Sequence, residues 1–185
     1  MGWIIGGILL LIVIVVVIWF ISSYNGFVRL KNMVEEAFAT MDVYLKKRFD
    51  LIPNIVETVK GYAKHESETL EKVVEARDFV GGAVTPEQRM EGENRITGAL
   101  KSLFAVAEAY PDLKANQNFM DLQGQLAQVE NDIANSRRYY NAIVRDYNTK
   151  RETFPSVLVA NLFHFEKRPL FEIVEEQREN IKVEF

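Results

Sequence analysis

The chain has 185 residues, no cysteine, 22 basic and 26 acidic side chains, and a formal net charge of -4. A mildly acidic chain lacks the basic stripe that nucleic-acid binding demands. Without thiols there is no disulfide, no thiolate metal site and no cysteine nucleophile.

From Trp3 to Ile21 every side chain is apolar or glycine. At about 1.5 Å rise per residue such a run spans the ~30 Å hydrocarbon core of a bilayer, where a helix satisfies its own backbone. Trp3 at one end and Trp19, Phe20 and Tyr24 at the other fit the aromatic belts of the headgroup zone, with Ile4, Leu11 and Val15 between them. Gly6 and Gly7 allow two spans to approach closely, although they lack the spacing of a small-residue packing motif. A cleaved signal peptide has a basic start, a shorter apolar core and a small-residue cleavage site. None is present, so the sequence predicts a retained transmembrane anchor over residues 1–23. No Lys or Arg precedes the run, whereas Arg29, Lys31, Lys46, Lys47 and Arg48 follow it. The expected orientation in the cell membrane is single-pass, with the N-terminus outside and the C-terminal part cytoplasmic.

Beyond the anchor, Phe27, Leu30, Val34, Ala37, Met41 and Tyr44 alternate at intervals of three and four, which predicts a helix from Tyr24 to Arg48 continuous with the span. Gly26 is its weak point. Pro53 is expected to end that helix and start a second, running to about Val80 and stopped by Gly81-Gly82. The second helix would bury Ile52, Ile55, Val56, Val59, Tyr62 or Ala63, Leu70, Val73 and Val74. Thr85-Pro86-Glu87-Gln88 is a capping box with proline at the first helical position, opening a third helix. That helix carries Met90, Ile96, Leu100, Leu103, Phe104 and Ala107 on one face and ends near Tyr110, ahead of Pro111.

A fourth and longest helix is predicted from Leu113 to about Tyr147, with a seam of Phe119, Leu122, Leu126, Val129, Ile133, Ser136, Tyr140, Ile143 and Tyr147. Thr153-Phe154-Pro155 ends it. A short apolar segment follows over 157–165, and after Pro169 a charged tail without periodicity is expected to be extended or partly disordered. The fold class is all-α: an N-terminal transmembrane helix, an antiparallel up-down-up-down four-helix bundle over 24–153, and a short apolar helix with a charged tail over 154–185.

Catalytic and metal-binding patterns are absent from the sequence. A carboxylate-bridged di-metal bundle needs Glu three residues before each ligating His. His65 and His164 are preceded at that distance by Tyr62 and Asn161, and His65, Glu66 and Glu68 read as a solvated face. Asp42, Asp50 and Glu57 have no histidine or nucleophile beside them. Gly81-Gly82 lacks the spacing of a phosphate loop. The expectation is a protein without catalytic residues, cofactor or metal.

Polar residues do stand out along the helix seams: Lys46, Lys47, Arg48, Asp50, Asn54, Glu57 and Lys60, then Glu130, Asn135, Arg137, Arg138, Asn141 and Asn148. They serve either as ion pairs and hydrogen bonds that fix helix register or as contacts between subunits or with a partner. The apolar segment with Leu158, Leu162, Phe163 and Phe165 likewise has two readings. It caps the apolar end of the bundle, or it lies at the membrane surface or against another subunit.

Three blocks carry a family resemblance. The first runs from Asp42-Val43-Tyr44-Leu45-Lys46-Lys47-Arg48-Phe49-Asp50 through Leu51-Ile52-Pro53-Asn54-Ile55-Val56-Glu57 to Tyr62-Ala63. The second is Ala105-Val106-Ala107-Glu108-Ala109-Tyr110-Pro111-Asp112-Leu113-Lys114-Ala115-Asn116 with Asn118-Phe119. The third is Ile133-Ala134-Asn135-Ser136-Arg137-Arg138-Tyr139-Tyr140-Asn141, continuing to Tyr147-Asn148-Thr149 and Phe154-Pro155. Together they resemble the LemA family. The resemblance implies a bacterial single-pass membrane protein with a cytoplasmic helical bundle and no established catalytic residues, some of whose relatives are associated with forming or shaping membrane organelles. The expected function is a non-enzymatic scaffold that self-associates, up to a large homo-oligomer, and organises the lipid bilayer. The alternative is a monomeric or dimeric adaptor that recruits a protein partner through its outer face or its tail.

Overall fold

The computed structural model describes residues 1–83 and 85–171, and within this range every regular element is helical. Helix α1 covers Gly2–Tyr62, α2 Ser67–Gly81, α3 Pro86–Ala107, α4 Pro111–Lys114, α5 Gln117–Glu152 and α6 Ser156–Leu162. The predicted charged tail beyond Phe171 lies outside the described residues.

The apolar run and the heptad-bearing stretch form one helix, as the uninterrupted periodicity predicts, and Gly26 does not interrupt it. Pro53 does not interrupt it either, which corrects the expected boundary there. A proline within a helix leaves the carbonyl four residues earlier without its amide partner. That carbonyl belongs to Phe49, and it accepts a hydrogen bond from Arg77 Nε at 3.4 Å. The guanidinium also lies 4.0 Å over the Phe49 ring, so the defect is occupied and the helix continues.

The break falls instead after Tyr62. Lys64 to Thr69 carry no apolar side chain, too long a polar stretch for a helix that must keep one face in the core. The turn is held by Tyr110, whose hydroxyl donates to Glu66 at 3.1 Å, and by Asn116, whose amide donates to the Tyr62 hydroxyl at 2.9 Å. The single helix expected over 53–80 is therefore the end of α1 plus α2; of Tyr62 and Ala63 it is Ala63 that is buried, and Val74 is exposed rather than buried.

The predicted capping box is present: Thr85 Oγ1 accepts from Gln88 N at 3.2 Å, and Gln88 Oε1 accepts from Thr85 N at 3.3 Å. The fourth predicted helix is shorter at its start than expected. Pro111 opens the separate turn of α4, and Asn116 Oδ1 then accepts from Phe119 N at 3.0 Å, capping α5.

The described chain divides into two compact units, one of Met1–Ala39 with Arg138–Leu170, the other of Thr40–Arg137 with Phe171. In the first, Phe27, Val34 and Ala37 are buried with Tyr140, Ile143, Val144 and Tyr147 of α5 and Val159 and Ala160 of α6. Phe27 meets Tyr147 edge-on at 6.2 Å. In the second, Ile52, Ile55, Val59, Leu70, Val73, Ile96, Leu100, Leu103, Phe119 and Leu126 share one core, each such side chain contributing roughly 1.5–3 kcal/mol when fully buried. At Gly92 a β-carbon would lie 2.5 Å from Val80 Cγ2 and 2.8 Å from Phe79 Cδ1, so only glycine lets α2 and α3 approach there.

Candidate functional site

Each unit contains one arrangement of side chains beyond ordinary core packing. In the first it begins with the apolar part of α1. The helix is long and apolar enough over this part to cross a membrane. Trp3, Ile4, Leu11 and Val15 are exposed, Trp3 at 97%, and a β-carbon on Gly6 or Gly7 would meet nothing within 4 Å. Such an exposed apolar surface is stable in hydrocarbon and costly in water.

An aromatic cluster gathers at the end of this run. The Phe163 ring lies 4.6 Å from Tyr24 and 5.8 Å from Phe20. Phe165 stacks on Phe27 at 4.8 Å, and Trp19 meets Phe20 edge-on at 6.5 Å. Lys150 Nζ sits 5.0 Å over the Phe27 ring, and burial holds its ammonium below the ordinary lysine range. Burial also pushes the Tyr147 phenol up, although Arg168 opposes this.

A tight chain reversal aims Phe165 at this cluster. After α6, Phe165 N donates to Ala160 O at 2.9 Å and His164 N to Asn161 O at 3.4 Å, the paired bonds of a Schellman motif. His164 takes the left-handed position at φ 55°. Side chains of α5 then fasten the returning backbone. Arg151 Nε donates to Phe165 O at 2.8 Å, and Tyr140 donates to Pro169 O at 3.0 Å. Asn148 bonds both ways to Arg168, giving Nδ2 to its carbonyl at 2.9 Å and taking its N–H on Oδ1 at 3.0 Å.

The second unit holds a buried ion network. Arg48 is 1% exposed. Its guanidinium donates to Thr97 Oγ1 at 2.9 Å, to Glu130 Oε1 at 2.7 Å, to the Glu93 carbonyl at 3.1 Å and to the Glu93 carboxylate. Arg89 continues the chain of charges, 3.2 Å from Glu93 and 2.7 Å from Asp42. Burial alone would lower the Arg48 pKa, but the charges and hydrogen bonds of Glu130 and Glu93 outweigh it and the net direction is up. This guanidinium remains charged and ties α1, α3 and α5 together. A cavity of about 80 Å³ beside it is lined partly by Arg137 and Phe171.

Asp50 pairs with Lys46 at 3.1 Å on the surface, Asn54 is exposed, and Glu57 stands 3.6 Å from Lys60. Arg138 is exposed and Asn141 half-buried. Among the described residues no group of three or more His, Cys, Asp or Glu side chains is placed to hold a metal.

Glu93, Thr97 and Arg89 were not singled out from the sequence. The available signal was periodic: Glu93 falls three residues after Met90 and three before Ile96, on the apolar stripe of α3. A charge on a buried stripe needs a partner, and Arg48, three residues after buried Leu45, is the matching intrusion on α1.

A LemA family profile matches residues 37–185. The chain belongs to the LemA family. Similar proteins include protein LemA of Metamycoplasma hominis, 26% identical across 88% of this chain and 74% of its own length. Magnetosome protein MamQ 2 of Paramagnetospirillum magneticum is 24% identical across 80% of this chain and 64% of its own. Magnetosome protein MamQ of Magnetospirillum gryphiswaldense is 22% identical with the same shares. The chain thus spans less than two thirds of the magnetosome proteins' own length. The LemA match begins beyond the apolar run. It contains the whole Arg48 network and Phe163 and Phe165, but not Phe20, Tyr24 or Phe27.

Proposed function

We propose that this LemA-family chain is a non-enzymatic, single-pass membrane scaffold: an N-terminal span with its N-terminus outside, and an antiparallel four-helix bundle that self-associates in the cytoplasm. The reading rests above all on α1, in which an exposed apolar run and the buried stripe from Phe27 onward belong to one unbroken helix. Such a helix couples whatever the bundle contacts to the bilayer. The charges around Arg48 are tightly engaged with one another and with the Thr97 hydroxyl, which favours a structural role over catalysis. The magnetosome relatives, named for a bacterial structure rather than for a reaction, agree with that role.

Light scattering of the full-length chain in mild detergent tests the proposal. A discrete particle several times the 21.3 kDa monomer mass, persisting on dilution, is the expected result. A monomer overturns the scaffold and leaves the membrane-tethered adaptor, whose partner would then be sought by crosslinking. Labelling of an N-terminal tag from outside intact cells tests the orientation.

A further inference from the structure

We propose that the segment from Phe154 to Phe163 is a second membrane attachment, lying in the headgroup–acyl boundary beside the end of the span. The inference rests on the membrane-spanning reading of α1 and adds a site to it.

The contacts along α1 set the depth of each part of this segment. Lys150 lies against Phe27, Phe163 against Tyr24 and Phe20, and Phe165 against Phe27 again. The chain therefore leaves α5 at the level of Phe27, reaches the level of Phe20 around Phe163, and withdraws. Phe20 belongs to the apolar run. Tyr24 touches both rings, so at about 1.5 Å per residue along α1 Phe163 lies roughly 5 Å nearer the span than Phe165 does.

The segment carries two faces. Val159 and Ala160 are buried inward, while Phe154 (75%), Leu158 (57%) and Leu162 (62%) are exposed, with Phe163 partly so. These exposed side chains follow one another every four residues. Leu158 and Leu162 thus stand one turn apart on the same side of α6. An apolar stripe of this kind at membrane depth gains by burial in acyl chains.

Charge decides which surface is recognised. The neighbouring ionic groups are engaged: Lys167 pairs with Glu152 at 2.9 Å, Arg151 is bonded to the Phe165 carbonyl, and Arg168 stands 3.8 Å from Glu35. Among the described residues these basic groups are bonded within the protein, so the apolar stripe rather than charge is expected to carry the attachment.

The absence of cysteine gives a direct test. Full-length chains carrying Leu158→Cys, Leu162→Cys, Val13→Cys or Arg145→Cys are spin-labelled and reconstituted in phosphatidylcholine vesicles. Accessibility to oxygen and to a water-soluble nickel chelate is then compared. The expected oxygen-to-nickel ratio at 158 and 162 is severalfold above that at 145, below that at 13, and unchanged by added phosphatidylglycerol or salt. Equal ratios at 158, 162 and 145, with 13 in the bilayer, overturn the second attachment while sparing the span. Exclusion of both reagents with dipolar broadening at 158 also overturns it, because a second copy then covers the stripe. An aqueous reading at 13 overturns the span itself and the inference with it.

Discussion

The Arg77 guanidinium donates to the Phe49 carbonyl that Pro53 deprives of its helical partner. An unmet buried carbonyl costs about 1–3 kcal/mol, and that cost is what this contact offsets. Arg77→Ala is expected to destabilise the full-length protein by about 1–2 kcal/mol in urea unfolding followed by helical circular dichroism. In a Pro53→Ala background, where the helical amide returns, the same change should cost clearly less. Equal costs in both backgrounds would show that Arg77 acts through the Phe49 ring alone.

Removing the guanidinium from the second unit strands a buried carboxylate. Arg48→Met should lower stability by about 3–5 kcal/mol, the usual penalty for breaking a buried pair from one side. Adding Glu93→Leu to Arg48→Met should recover part of the loss, because it removes the stranded charge. A double mutant worse than the single would mean that Glu93 is held chiefly by Arg89.

His164 occupies a backbone region that costs a side-chain-bearing residue roughly 1–2 kcal/mol and glycine almost nothing. His164→Gly is therefore expected to raise the midpoint of thermal unfolding, with a gain near 1 kcal/mol. His164→Val, which suits that region worst, should lower it. The two melting shifts have opposite signs.

Lys150 supplies the pH dependence. Its ammonium is disfavoured by burial in the folded chain, so the unfolded chain holds that proton more firmly. The resulting destabilisation is complete below the folded pKa and is relieved as pH rises toward the ordinary lysine value of 10.5. Lys150→Met should therefore be more stable than the parent near neutrality, with the advantage shrinking as pH approaches that value. Urea titrations of both proteins across this range check the sign. The opposing alkaline effect of Tyr147 is common to both and drops out of the difference.

The helical class, the capping box at Thr85 and the seam of α5 were legible in the sequence because each is local. Thr85 meets Gln88 within one turn, and Phe119 through Tyr147 repeat at helical spacing. The boundary at Pro53 was misread because its remedy is remote: Arg77 lies 28 residues later. The break after Tyr62 was legible in the polar run Lys64 to Thr69, but the proline two turns earlier is the louder signal. Glu93 was missed for the reason Arg77 was, since its partner stands 45 residues away on another helix. The Asn148 clamp serves a returning backbone segment, and no periodicity encodes which backbone a side chain will meet.

The separation of Arg48 from its carboxylates has a consequence for biosynthesis. Glu93 and Glu130 are translated 45 and 82 residues after it, which at typical rates of 5–20 residues per second is roughly 2–9 s and 4–16 s. Throughout that interval the guanidinium stays hydrated and the helices it joins remain unfastened. The apolar run of α1, synthesised before the network, thus emerges before the core of the second unit can form.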